Sequence, residues 1–296
     1  MTPGARLRRM LATPDIALVP GCHDALGARL IEQAGFSAAY ISGFSVAASL
    51  GKPDIGIVTM TDVIEQAARI AGAVDIPVIT DADTGYGGPS NIRETVRSLE
   101  RAGLGGLHLE DQRMPKRCGA MAGKELVPDE EMATRIEVAR QSRRSDDFLI
   151  IARTDAVTIH GVAEAARRCR AMQEAGADAV MVPSLSTPEE LRAITSSVSI
   201  PVIYVAAETI RPMYDNAQLQ AMGFAMALYP LSLIQVSVRA QQDLLRTLRD
   251  TGTTEPAIPR MAPFAQVGEL VGNAEAASFE SRFSSKPPTP GTGESA

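Results

Sequence analysis

The chain has 296 residues, with 29 basic and 35 acidic side chains and a formal net charge of −6. Hydrophobic residues make up 45% and charged residues 22%, which excludes a disordered chain, a collagen and a small disulfide scaffold. The acidic balance argues against a nucleic-acid partner.

Cys22, Cys118 and Cys169 are too scattered for a disulfide framework and fit a reducing compartment. The N-terminus, MTPGARLRRMLATPD, lacks the apolar core of a signal peptide, and no apolar run reaches the ~18 residues of a membrane span. A cytoplasmic protein without a membrane partner is expected.

In chain order, short apolar runs alternate with amphipathic ones. Residues 17–20 read as a strand, after which Asp24 caps a helix over 25–34. A strand over 39–41 precedes a helix that Thr59 or Thr61 caps and that runs to Gly72. The same grammar gives strands over 77–80, 106–109, 148–151, 179–182, 201–204 and 224–228. The helices that follow them span 91–102, 130–144, 162–175, 188–196, 215–222 and 231–249. Three phrases, EQAGFSAAYIS, ERAGLGGLHLE and QEAGADAVMVP, repeat one joint in which a helix ends at Gly and a buried strand begins. Eight such units predict an α/β chain folded as a (β/α)8 TIM-type barrel over 1–250, with functional groups at the C-terminal strand ends. A helical extension is predicted over 251–283, with helices at 264–271 and 274–283. The Ser-, Pro- and Gly-rich tail 284–296 is expected to be disordered.

The densest polar cluster follows the third strand. Alternation along a strand sends Asp81 and Asp83 to one face, where they repel unless a cation or a proton lies between them. Oxygen donors of this kind suit Mg²⁺ or Mn²⁺, whereas the bland reading of the pair is a helix cap and an exposed loop. Glu110 ends the next strand and could converge on them; His108 shares its parity and reads equally well as a core histidine. The gap that follows is the longest in the barrel and reads as a lid over 112–128. In it Cys118 stands beside Lys116 and Arg117, whose charges would favour the thiolate and lower its pKa. The alternative is a plain loop cysteine. Arg153 ends the fifth strand, where a guanidinium can clamp a carboxylate or phosphate, or serve a structural ion pair.

Four segments, Asp81-Ala82-Asp83-Thr84-Gly85-Tyr86-Gly87, His108-Leu109-Glu110-Asp111-Gln112, Pro115-Lys116-Arg117-Cys118-Gly119 and Ile151-Ala152-Arg153-Thr154-Asp155, resemble the isocitrate lyase/phosphoenolpyruvate mutase superfamily. Ser42-Gly43 and the stretch from Leu50 to Gly56 match it too, so the resemblance covers residues 10–250. It is strongest toward methylisocitrate lyase-, dimethylmalate lyase- and carboxyphosphonoenolpyruvate mutase-like members.

The resemblance implies a barrel whose last helix swaps onto a neighbouring subunit in a homo-oligomer, a dimer of dimers. It implies Mg²⁺ held by Asp81, Asp83 and Glu110, largely through water. Ser42 and the Gly43 backbone would bind the carboxylate of a small 2-oxo or 2-hydroxy acid, with Arg153 opposite and Phe44, Gly119 and Glu208 also against substrate. Asp54 would lie near the reacting carbon. The closing lid would bring in Cys118, flanked by Lys116 and Arg117, as the acid that protonates an enolate-like product.

Three positions depart from the lyase pattern: Ala120 replaces a histidine, Ser184 a glutamate and Val205 an asparagine. The function expected from the resemblance is a Mg²⁺-dependent C–C lyase acting on a substituted 2-hydroxy or 2-oxo dicarboxylate. Oxaloacetate decarboxylation, P–C bond mutase or hydrolase chemistry, and a metabolite-binding barrel without turnover are the alternatives.

Overall fold

Strands buried on both faces, each followed by a helix, close on themselves in the computed structural model, which describes residues 1–284. α1 (Pro3–Leu11) precedes β1 (Ala17–Cys22), and α2 (Ala25–Gln33), β2 (Ala39–Ile41), α3 (Gly43–Ser49) and α4 (Met60–Ala71) follow. Next come β3 (Val78–Asp81), α5 (Pro89–Arg101), β4 (Gly106–Glu110), α6 (Asp129–Ser142) and β5 (Leu149–Arg153). The circuit ends with α7 (Val157–His160), α8 (Val162–Glu174), β6 (Ala179–Met181), α9 (Pro188–Thr195), β7 (Val202–Val205), α10 (Asn216–Ala221), β8 (Met226–Tyr229) and α11 (Ser232–Thr251). The strands pair in parallel in sequence order, and β8 returns to β1 through Ala17 opposite Met226. All eight predicted strands are present.

Local signals set the helix starts. Asp24 caps α2 by accepting from the Gly27 amide at 2.7 Å. Of the two threonines considered for α4, Thr59 is the cap, in a reciprocal capping box with Asp62. The helix α1 lay outside the sequence reading although Thr2 caps it and Pro3 opens it.

Strand parity divides the interior into two layers. One parity faces the helices: Ile41, Leu107, Ile150, Val180 and Val202 pack there against Ile31, Ile70, Leu99, Ile136 and Leu191. The other faces the barrel axis, where Val19, Tyr40, Ile79, Ile151, Met181, Ile203 and Leu228 cluster with Leu7 and Leu11 of α1. Leu7 closes the N-terminal end so tightly that a Cβ on Gly105 would come within 2.5 Å of its Cδ1. At the opposite end the inward row finishes on Ser42, Asp81, Glu110 and Arg153 for β2 to β5, and on Met181, Val205 and Leu228 for β6 to β8.

Residues Met1–Asp243 form one compact unit, and Leu244 onward a second. The second holds the end of α11, a 3₁₀ turn over Glu255–Arg260, α12 (Phe264–Leu270) and α13 (Asn273–Phe283). Its large apolar side chains are exposed, Phe264 at 89% and Phe283 at 73%. The tail predicted to be disordered lies, from residue 285 on, outside the described residues. Among the described residues no helix is long and apolar enough to cross a membrane.

Gly106 opens the strand that ends on Glu110. A Cβ there would stand 2.7 Å from Leu149 Cβ and 2.9 Å from its carbonyl oxygen. Gly106→Ala should therefore destabilise the barrel by ~1–3 kcal/mol, the usual cost of overpacking. An unchanged denaturation midpoint would contradict this packing.

Candidate active site

The C-terminal ends of the strands surround a cavity of about 510 Å³. Ser42, Phe44, Asp54, Asp81 and Glu110 line it from the barrel, as does Arg153. Lys116, Arg117, Cys118 and Gly119 line it from the lid. Of the other sequence-predicted site residues, Gly43 and Asp83 stand just behind this lining. Glu208 is not among the lining residues: one carboxylate oxygen accepts from the Ser232 hydroxyl at the start of α11, and the other is buried without a partner.

Ser42 ends β2 and begins α3 without spending its hydroxyl on a capping bond, so that oxygen is left for the cavity. The Gly43 amide donates to Asp81 Oδ2 at 3.3 Å. A Cβ at Gly43 would lie 2.9 Å from that oxygen and 3.3 Å from Asp83 Oδ1, so only glycine admits both carboxylates.

Simple alternation does not bring Asp81 and Asp83 together. β3 stops at Asp81, and Asp83 sits in a left-handed turn at φ 48° with its amide donating to Asp81 Oδ1 at 2.9 Å. Asp tolerates that conformation better than most residues. The turn is tied to the next strand through the Glu110 amide and the Asp83 carbonyl at 2.9 Å.

Charges are dense here, and the side chains that bear them are buried. Lys116 Nζ bonds Asp54 Oδ1 and lies 2.6 Å from Asp83 Oδ1. Arg153 Nη1 lies 3.2 Å from Glu110 Oε2 and 3.8 Å from Asp81 Oδ2, and its Nη2 lies 3.0 Å from Asp155 Oδ2. Five buried carboxylates, Asp54, Asp81, Asp83, Glu110 and Asp155, thus face three buried cations, Lys116, Lys124 and Arg153. Asp111 has its own partner in Arg168 at 3.0 Å.

The surplus of two negative charges is visible in the acidities. Burial opposes the charge of Asp81, but Lys116 and Arg153, joined by His108 once it is protonated below about pH 4, outweigh it and hold its pKa at about 2. Burial and the neighbouring Asp81 push Asp83 up to about 7. Burial also pushes Glu110 well above the usual carboxylate range, and its Oε1 has no partner. Two of the five carboxyls therefore favour a proton in the absence of other positive charge.

An oxygen-only donor set with a deficit of two charges fits a hard divalent cation. Among the described residues no three His, Cys, Asp or Glu donors stand at the spacing of direct ligation.

His108 belongs to the layer beneath. Its Nε2 is 2.8 Å from the Tyr40 hydroxyl, its Nδ1 is 3.6 Å from Asp81 Oδ1, and burial lowers its pKa to about 4, so it is neutral. Tyr40, missed in the sequence, lines the cavity; its parity with Ser42 on the same strand was the available signal.

The lid is folded over the cavity and clasped at its base by an antiparallel bridge from Gln112 to Leu126. The Cys118 amide donates to the Asp54 carbonyl at 3.1 Å. The expectation that Lys116 and Arg117 make Cys118 a thiolate is corrected here. Lys116 is spent on Asp54 and Asp83, Arg117 is exposed, and burial raises the Cys118 pKa. The group over the cavity is a protonated thiol near neutral pH. Burial likewise pushes Cys22 and Cys169 up to about 12.

The far side of the cavity differs. Its lining from β6 to β8 includes Met181, Pro183, Ser184, Val205, Ile210 and Leu231, and no charged side chain. Ile159 of α7 and Ala120 and Met121 of the lid adjoin it. All three departures noted in the sequence, Ala120, Ser184 and Val205, therefore line this one cavity. Ser184 is held at φ 69°, a conformation that costs energy for a residue other than glycine.

Because its pKa is raised, Cys118 should react with iodoacetamide near neutral pH more slowly than free cysteine does. Mass spectrometry of the modified peptide measures this; a rate equal to or above that of free cysteine would restore the thiolate reading.

A family model described as phosphoenolpyruvate phosphomutase matches residues 7–249. The chain is 40% identical to 2,3-dimethylmalate lyase of Eubacterium barkeri, covering 92% of this chain and 95% of that protein. Oxaloacetate acetylhydrolase bound to the inhibitor 3,3-difluorooxalacetate superposes with a TM-score of 0.89 at 31% identity, covering 96% of this chain and 98% of the other. Phosphonopyruvate hydrolase in complex with oxalate and Mg²⁺ does so at 0.88 and 32% identity, covering 96% and 99%.

Proposed function

The chain belongs to the phosphoenolpyruvate phosphomutase family and is a carbon–carbon lyase of the isocitrate lyase/phosphoenolpyruvate mutase type, and on that premise we propose that it cleaves, with Mg²⁺, a 2-hydroxy or 2-oxo dicarboxylate whose remote half carries no further charge. An alkylated malate or oxaloacetate is such a compound. The observation that carries this reading is the uncharged wall from β6 to β8, in which Ser184 and Val205 stand. A third carboxylate placed there would be buried without a cation, which is costly.

Asp81, Asp83 and Glu110 would hold the metal, and their charge deficit and the Mg²⁺ complex of a structural relative support this. When bound, Mg²⁺ supplies a Lewis acid for the oxygen on which charge develops. Ser42 and Arg153 bind and orient the carboxylate of the 2-oxo or 2-hydroxy end. The lid excludes water above them. As the C–C bond of a 2-hydroxy acid breaks, the hydroxyl proton passes to one of the buried carboxylates, the bonding pair goes to the departing carbon, and the Cys118 thiol, which burial keeps protonated, gives its proton to that carbon. The exposed Phe264, Phe279 and Phe283 support a second copy of the chain as the partner of the C-terminal unit.

Chelation should abolish turnover, and Mg²⁺ or Mn²⁺ should restore it. Calorimetry should find Mg²⁺ affinity lowered in Asp83→Ala. Full activity of a metal-free sample would exclude the assignment. Across a substrate panel, kcat/KM for isocitrate and methylisocitrate should fall at least ~100-fold below that for an alkylated malate or oxaloacetate, since sites discriminate strongly when a polar group loses its partners. Efficient cleavage of either tricarboxylate would overturn this reading of the far wall.

A further inference from the structure

Asp155 lies two residues beyond Arg153, fully enclosed, and three groups converge on its carboxylate. Arg153 Nη2 approaches Oδ1 at 3.1 Å and Oδ2 at 3.0 Å. Gln112 Nε2, at the start of the lid, donates to Oδ2 at 3.1 Å. Lys124 Nζ, toward the end of the lid, lies 3.6 Å from Oδ1.

The two lid residues in turn hold the backbone on either side of Cys118. Gln112 accepts from the Arg117 amide at 2.9 Å and donates to the Arg117 carbonyl at 2.9 Å. Lys124 donates to the Gly119 carbonyl. Gly119 rests on the ion pair itself: a Cβ there would lie 2.6 Å from Arg153 Nη2 and 3.3 Å from Asp155 Oδ1. One carboxylate thus orients the guanidinium and anchors both fasteners of the thiol-bearing segment.

We infer that Asp155 is a positioning residue that couples carboxylate binding at Arg153 to closure of the lid over Cys118. The inference rests on the proposed roles of Arg153 and Cys118. Arg153 lines the cavity while its Nη2 is held by Asp155, and the same carboxylate receives Lys124 and Gln112. A carboxylate bound to Arg153 favours this arrangement, and the lid fastened to Asp155 favours it as well. Each event therefore stabilises the other, as reciprocal linkage requires.

The test uses the full chain with Mg²⁺ and oxalate as the probe. The dissociation constant of oxalate is measured by calorimetry. The alkylation rate of Cys118 is measured with and without oxalate by mass spectrometry. In the unaltered protein oxalate should slow alkylation by about tenfold or more, a coupling of ordinary size. In Asp155→Asn oxalate should still bind, but the slowing should vanish. Lys124→Met acts from the lid side and should lose the slowing and, by the same linkage, weaken oxalate binding by a comparable factor. It also carries the test where Asp155→Asn does not fold. A merely structural role would alter alkylation equally with and without oxalate and leave their ratio intact. Full protection retained in both variants overturns the inference. Oxalate that binds the unaltered protein without protecting Cys118 overturns it too. Oxalate that does not bind the unaltered protein removes the anchoring reading of Arg153 and the coupling with it.

Discussion

The arrangement of the barrel mouth follows from one electrostatic constraint: five buried carboxylates lie close together, and only three buried cations accompany them. Each unit charge taken out of water is expensive unless it is paired. Lys116 and Arg153 are each shared between carboxylates rather than held by one. Their side chains are consequently fixed, and so are the strand ends and the lid segment that bear them. Burial, with the neighbouring carboxylates adding to it, makes Asp83 and Glu110 reluctant to ionise.

The same constraint explains why charge occupies only half of the cavity. Inward parity of the strands brings Ser42, Asp81, Glu110 and Arg153 to the mouth on β2 to β5, and Met181, Val205 and Leu228 on β6 to β8. Because the barrel is closed in sequence order, these two groups of strands face one another across the axis. The polar half can offer a carboxylate substrate its cation and donors. The apolar half offers area and shape, which separate substrates by a few kcal/mol at most. Glu208 is the acidic residue that could have changed this balance, and it is bonded to Ser232 instead.

Much of this was legible in the sequence, because period and parity are local properties. The eight strands, the Asp24 cap and the convergence of Asp81, Glu110 and Arg153 all follow from residue order along short segments. What was not legible depends on long-range geometry. Asp83 reaches Asp81 through a left-handed turn rather than by alternation. The charge of Lys116 goes to Asp54, 62 positions away, so proximity in sequence misjudged the acidity of Cys118. The α7 segment that supplies Ile159 is a single turn, too short to leave a periodic signal.

Cys118 shows how such long-range pairing converts a loop into part of a site. A thiol on an open loop among basic residues would tend toward the thiolate. Here the Asp54 carbonyl holds its backbone, Gln112 and Lys124 hold its neighbours, and burial keeps its proton on. The charge of Lys116 lowers the pKa of the thiol less than burial raises it; Lys116 acts chiefly as a tether, drawing the lid down onto carboxylates that already require a counter-ion. The charge deficit and the closure that sets the Cys118 thiol over the cavity are therefore two consequences of the same buried carboxylates. An alteration that relieves the deficit at Asp54 or Asp83 would loosen the Lys116 tether and, with it, the position of the thiol.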